Sequence, residues 1–138
     1  MATVLEQRVR RFLEAPGRHA VLATINQDGT PLQAVVWYLV EDDGVLVNSL
    51  HGRRWPENLR RDARYSLTVE NGIDYVALRG EAELLDDADA AQEDIAAMAR
   101  RYHSPEDAEQ RIESIFRQQR RESFRLRART VTVHGELG

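Results

Sequence analysis

The stretch Pro31-Leu32-Gln33-Ala34-Val35-Val36-Trp37-Tyr38-Leu39-Val40 decides the fold. Its β-branched and aromatic residues read as one strand. One face carries Leu32, Ala34, Val36 and Tyr38, and the other carries Gln33, Val35, Trp37 and Leu39. A strand of an antiparallel sheet with one wet face alternates apolar with polar residues. This one is apolar on both faces, so its second face needs a cover: a packed helix, a second subunit or a ligand. Immediately upstream, residues 19–26 form an apolar run with Val21, Thr24 and Ile25, and Gln27-Asp28-Gly29-Thr30 supplies turn chemistry. The two runs therefore predict a hairpin.

Working outward, Glu41-Asp42-Asp43-Gly44 is a second tight turn and residues 45–50 a third strand. Residues 65–70 alternate as a strand, Asn71-Gly72 turns the chain, and residues 75–85 form a longer strand expected to bulge at Gly80. Residues 124–133 are the last strand region, with the alternation changing phase near Arg129. Helices fall around this pattern. Thr3-Val4-Leu5-Glu6 reads as a capping box for a first helix that Ala15-Pro16-Gly17 stops. Pro56 suits the first position of a short helix, and Asp86 or Asp87 caps another with Ala91, Ile95, Met98, Ala99 and Tyr102 inward. Ser104-Pro105 starts the next, with Ala108, Ile112, Ile115 and Phe116 on its apolar face. About six short antiparallel strands joined by tight turns, with helices before and within them, predict a mainly β domain with flanking helices, closed as a small barrel. Neither a repeat nor a linker divides residues 1–138, so one domain is expected.

Composition removes several functions. The 138 residues are 42% hydrophobic and 30% charged, ordinary for a globular chain. Without cysteine there are no disulfides, thiolate nucleophiles or cysteine-based metal centres. Without lysine, all 19 basic residues are arginine, which removes Schiff-base and covalent pyridoxal-phosphate catalysis. A net charge of -4 argues against general nucleic-acid binding, and no apolar run is long enough for a membrane helix. The cytoplasm is the expected location, since the charged N-terminus lacks the character of a secretory signal.

Four groups of residues could carry chemistry. The strand end Asn48-Ser49 leads through His51 and Gly52 into Arg53, Arg54 and a helix start. Glycine allows close backbone approach, arginines offer forked donors, and a helix start adds free amides, so this segment is a candidate phosphate site or else a solvated loop. Trp37 and Tyr38 could form a ring slot or simply pack in the core. The histidines 19, 51, 103 and 134 show no ligand spacing, and no metal site is expected. Arg117, Arg120, Arg121, Arg125, Arg127 and Arg129 are expected to pair with the chain's own acids or a second subunit. No nucleophile–base pair is evident, which leaves Tyr38, His51 and Tyr75 as candidate proton donors.

The order of these motifs resembles the pyridoxamine 5′-phosphate oxidase-like superfamily. Its opening hairpin is similar to residues 21–31, its second strand to Val35-Val36-Trp37-Tyr38, and its phosphate loop and following helix to Gly52-Arg53-Arg54 with Asn58-Leu59-Arg60-Arg61-Asp62. The resemblance spans nearly the whole chain, and the last run is especially similar to the branch that uses the deazaflavin coenzyme F-420. It implies an FMN-binding-like split β-barrel and a homodimer with two cofactor sites at the interface. It also implies hydride transfer between coenzyme F-420 and a small unsaturated substrate. An FMN oxidoreductase and a non-catalytic carrier of a planar ligand are the alternatives. By the same resemblance Gln33, Val35, Val36 and Trp37 would face the ring, and Asn48, Ser49 and Leu50 would line the strand end. Arg53 and Arg54 would bind phosphate, with Gly52, Trp55 and Asn58 adjoining. By charge alone, Arg60, Arg61 and Arg64 could steer a longer anionic tail or pair with acids. The family's lysine after the first loop arginine is absent here, where Arg54 and Trp55 stand. Its C-terminal substrate-binding pattern is not evident after Phe124, so pyridoxamine-phosphate oxidation itself is not expected.

Overall fold

Tight turns set the order of the sheet. A computed structural model describes residues 3–138. In chain order these form α1 (Gln7–Glu14), β1 (Ala20–Ile25), β2 (Pro31–Val36), β3 (Leu39–Glu41), β4 (Gly44–Leu50), α2 (Arg54–Arg61), β5 (Arg64–Glu70) and β6 (Tyr75–Leu85). Then follow α3 (Ala88–Tyr102), α4 (Pro105–Ser114), a 3-10 turn at Phe116–Gln118, β7 (Arg121–Arg127) and β8 (Thr130–His134). The strands run antiparallel in the order β2-β1-β5-β6-β7-β4-β3, with β8 on β6. Strand β6 belongs to both halves of the sheet. Its residues 75–79 pair with β8, and residues 82–85 pair with β7. That hand-off curls the sheet into a half-barrel with helices against it, which is the split β-barrel expected from the sequence.

The described residues hold eight strands where the sequence suggests about six, because two long stretches each divide. Residues 31–40 break at Trp37 and Tyr38. Strand β2 pairs with β1 and β3 pairs with β4, so the chain crosses between sheet halves at that point. The Tyr38 ring turns into the core, and its hydroxyl donates to the Leu13 carbonyl at 2.6 Å. Residues 121–134 break at Ala128 and Arg129, where the phase change lies. The Ala128 amide donates to Asp43 and the Arg129 amide to Arg79, so the chain swaps partners there.

Three local expectations are corrected. Gly80 is not a bulge against β5, since the register runs unbroken through Tyr65↔Gly80 and Arg64↔Glu81. Glycine is needed there because a Cβ would run into the Arg127 carbonyl oxygen. Thr3 does not cap α1. The helix starts at Gln7 behind Glu6 with no side-chain cap, and the Thr3 hydroxyl donates to the Arg129 carbonyl at 3.2 Å. Helix α2 begins at Arg54, two residues before Pro56, which sits in the first turn where its missing N–H would have no helical partner anyway. By contrast the Asp87 carboxylate and Ser104 hydroxyl cap α3 and α4 as their sequence suggests, accepting from the amides of Ala90 and Asp107.

A main core joins α1, β1, β4, β5, β6 and β7 through Val9, Phe12, Leu13, Leu22, Val45, Val47, Leu67, Leu78, Phe124 and Leu126. Burying one such side chain contributes roughly 1.5–3 kcal/mol before chain entropy is counted. Satellite clusters join α3 and α4 to Leu46, Trp37 and Phe116. The second face of residues 31–40 is therefore only partly covered by this chain. Trp37 and Leu39 pack under the helices, whereas Gln33 is exposed and Val35 is 72% exposed. No helix of the described residues is long and apolar enough to cross a membrane.

Candidate functional site

Two clefts flank the start of α2, and each receives one of the adjacent arginines. The first, of about 250 Å³, is lined by Val35, Val36, Trp37, Asn48, Arg53, Trp55, Ile95, Phe116 and Arg121. It gathers the crossing point between β2 and β3, the middle of β4, the loop before α2, and the segment entering β7. The second, of about 380 Å³, is lined by Asn26, Gln27, Asp28, Arg54, Asn58 and Arg61. The chain geometry explains the split. Gly52 takes φ +95°, a left-handed turn that glycine makes without steric cost. Arg53 follows as an extended cap residue and Arg54 as the first helical one, so their side chains diverge.

The electrostatics of the first cleft are unusual for a structural arginine. Among the described residues neither Arg53 nor Arg121 has a carboxylate within ion-pair distance. Arg121 Nε donates to Asn48 Oδ1 at 2.9 Å and Nη1 to Gln119 Oε1 at 2.8 Å, both neutral acceptors. Its guanidinium lies 5.3 Å from the centre of the Phe116 ring. Desolvation first, then the nearby Arg53 charge, pulls its pKa down to about 10. A cation held at a cost in this way creates a demand for an anion. The position of Arg121 is fixed by a hydrogen-bond chain that runs through Asn48 and Ser123 to Asp94. Asn48 Nδ2 donates to the Ala91 carbonyl and to Ser123 Oγ, both at 2.9 Å, and Ser123 Oγ donates to Asp94 Oδ2 at 2.8 Å. Burial raises the Asp94 pKa. A larger groove by α3 and α4 has its own cations answered, Arg100 by Glu109 at 2.8 Å and Arg117 by Glu113 at 3.3 Å.

The other sequence candidates divide. Trp37 lines the first cleft but its ring stacks on Tyr102, with centroids 5.2 Å apart. Trp55 is buried against Phe124. Ser49 is buried with its hydroxyl donating to the Leu50 carbonyl, Leu50 is half-buried at the end of β4, and Gln33 lies on the open face of β2. Asn58 is buried and braces the second cleft, its Nδ2 donating to Thr24 Oγ1 and Asn26 Oδ1 at 3.0 Å each. Arg60 pairs with Glu122 and Arg64 with Asp62, so neither is free to steer a ligand. Arg61 bonds the Ile25 carbonyl and the Asn58 side chain, with no carboxylate among the described residues.

Of the candidate proton donors, Tyr38 is excluded by its surroundings. It is fully buried, and desolvation pushes its pKa up to about 12. Tyr75 stacks on His134 at the far end of β6 from β7. His51 lies beside Glu122, with Nδ1 to Oε2 at 3.3 Å. The residues that sequence reasoning missed are Arg121, Ile95 and Phe116. Arg121 stands in the sequence as one of six clustered arginines, and the other five carry the same signal.

Residues 5–135 match the sequence profile of the family described as Pyridoxamine 5′-phosphate oxidase. No curated protein matches the chain. Among solved structures, the conserved hypothetical protein Rv2991 from Mycobacterium tuberculosis superposes with a TM-score of 0.77 at 23% identity, covering 99% of this chain and 94% of that one. An F420 reductase gives 0.70 at 21%, covering 94% and 98%. HutZ, the heme storage protein from Vibrio cholerae, gives 0.70 at 20%, covering 95% of each. At these identities the likeness is one of fold.

Proposed function

Because the chain belongs to the pyridoxamine 5′-phosphate oxidase family, we propose that it is a flavin-type oxidoreductase whose cofactor lies along Val35, Val36 and Trp37 with its phosphate between Arg53 and Arg121. The observation that carries this reading is the pair of unpaired arginines at an aromatic-lined cleft. Arg53 and Arg121 bind the anion, Asn48 orients Arg121, and Trp37, Trp55, Ile95 and Phe116 exclude water from the ring. Coenzyme F-420 is the preferred occupant, with FMN as the alternative. Bound in its reduced form, the deazaflavin would supply the hydride for a small unsaturated substrate and leave oxidised.

Two separate basic clefts favour the longer cofactor. FMN has one terminal phosphate and can engage only one of them. Coenzyme F-420 carries further anionic groups on its tail, and Arg54 with Arg61 offers them a second anchor. The test is competition between the two cofactors on apo-protein, wild type against Arg54→Ala/Arg61→Ala. The double variant is expected to lose roughly tenfold or more in F-420 affinity, with FMN affinity unchanged. Tighter FMN binding by the wild type, or equal losses for both, overturns the F-420 assignment. Binding of neither points to a carrier of another planar ligand.

The first cleft is small for a ring system, since ligand pockets usually reach ~300–1,000 Å³. A second copy of the chain completes it. Val35 and its cross-strand neighbour Val21 form an open apolar edge beside the cleft. Sedimentation is expected to give a homodimer at micromolar concentration, with an interface of roughly 2,000 Å² or more. A monomer would remove the shared site.

A further inference from the structure

We propose that His51, Glu57 and Glu122 form a binding site for a divalent transition-metal ion, with Zn²⁺ as the best match. The three residues are scattered in sequence and show no ligand motif, but the fold brings one ligand atom from each to within 4.8 Å of the others. The β4–β7 ladder does this. Ser49 faces Glu122 across it, and the His51 amide donates to the Arg120 carbonyl at 2.8 Å. Helix α2 then brings Glu57 over the pair.

An independent observation points to an ion. Glu122 is only 5% exposed, and its Oε2 is buried with no hydrogen-bond partner. His51 Nδ1 is buried in the same condition, 3.3 Å away. Two such atoms facing one another unsatisfied is an expensive arrangement in a protein interior. Ligands of tetrahedral zinc bond at ~2.0–2.2 Å and so lie about 3.3 Å apart, which is the His51–Glu122 spacing, and the exposed Glu57, within 4.8 Å, would close in to complete the set. Arg60 supports the arrangement. It bonds Glu122 through Oε1 and lies 3.7 Å from Glu57 Oε1, so it orients both carboxylates and leaves Glu122 Oε2 free. Two carboxylates against one guanidinium leave a net negative charge for a cation. Imidazole with carboxylate favours Zn²⁺ over Mg²⁺, which prefers oxygen ligands and octahedral geometry. Three protein ligands leave a position open to water or to an anion. His51 adjoins the Gly52-Arg53 loop and Glu122 adjoins Arg121, so an ion here would stiffen both arginine supports of the first cleft.

The test is calorimetric titration of chelator-treated full-length protein with ZnCl₂, and with MgCl₂ as the contrast. One Zn²⁺ per chain is expected, with Mg²⁺ at least a hundredfold weaker. Glu122→Gln keeps an oxygen for Arg60, and His51→Gln changes a half-exposed residue, so both variants should fold, which circular dichroism checks. Each is expected to weaken Zn²⁺ at least tenfold, while His134→Gln leaves it unchanged. No stoichiometric Zn²⁺ binding by the wild type, or binding that survives either His51→Gln or Glu122→Gln, overturns the proposal and leaves a simple histidine–glutamate contact.

Discussion

Strand β7 carries three arginines on one side, and its two ends treat them differently. Toward the C-terminal end, Arg125 meets Glu41 at 3.0 Å and Arg127 meets Glu83 at 2.9 Å and Asp43 at 3.4 Å. At the N-terminal end, Arg121 has only amide oxygens for company and a second arginine nearby. The ion pairs of Arg125 raise its pKa, while desolvation and Arg53 lower that of Arg121. A compensated arginine holds the sheet together. An uncompensated one, desolvated beside an aromatic ring, is the group to which the proposed function gives an external anion.

Mutation of the two ends should break this comparison if it is wrong. Arg53→Ala and Arg121→Ala should each weaken binding of the anionic cofactor by roughly tenfold or more, since one charge-assisted contact is worth about 1.5–3 kcal/mol. Arg125→Ala should leave binding unchanged. Stability should follow the opposite order. Arg125→Ala is expected to cost up to about 1 kcal/mol, in line with partly exposed ion pairs, whereas Arg121→Met in the apo-protein costs nothing or stabilises. Denaturant melts of the variants decide this, and a large loss on Arg121→Met would make that arginine structural.

A smaller effect separates desolvation in the core from desolvation at the site. Tyr38 is held neutral in the fold, with its pKa pushed up to about 12 by burial. The unfolded chain loses that proton near pH 10. The resulting stability is therefore complete below pH 10 and is lost as pH rises from about 10 through 12. Tyr38→Phe should cost about 1 kcal/mol at neutral pH through the lost bond to Leu13, and should flatten the alkaline fall. An unchanged alkaline limb would show that other groups control it.

The same comparison explains what the sequence could reveal. Turn residues, helix caps and alternation are local signals, and Asp87, Ser104 and the hairpin of β1 and β2 were readable from them. The crossing at Trp37 and Tyr38 was not, because it depends on where β4 and α1 offer partners. The site follows the same rule. Arg53 and Asn48 are legible from the loop motif and Trp37 from the doubly apolar strand, while Val35, Val36 and Trp55 come from the family resemblance; all six line one cleft. Arg121, Arg125 and Arg127 share strand parity and residue type, so the sequence alone gave no reason to choose among them. Their difference lies in acids contributed by β3, the turn before β4, and β6. The divergence of Arg53 and Arg54 is likewise a matter of helix phase, set by α2 starting before Pro56.

On the proposed function, the cofactor's ring occupies the cleft beside Trp37. The chain contains two tryptophans, and both line that cleft. Titration of apo-protein with coenzyme F-420, read by tryptophan emission alongside equilibrium dialysis, tests the claim directly. Saturable quenching at one cofactor per chain is expected, with the same affinity by both readouts and with loss of both in Arg53→Ala/Arg121→Ala. Binding by dialysis that leaves tryptophan emission unchanged, or no binding of either flavin, would contradict it.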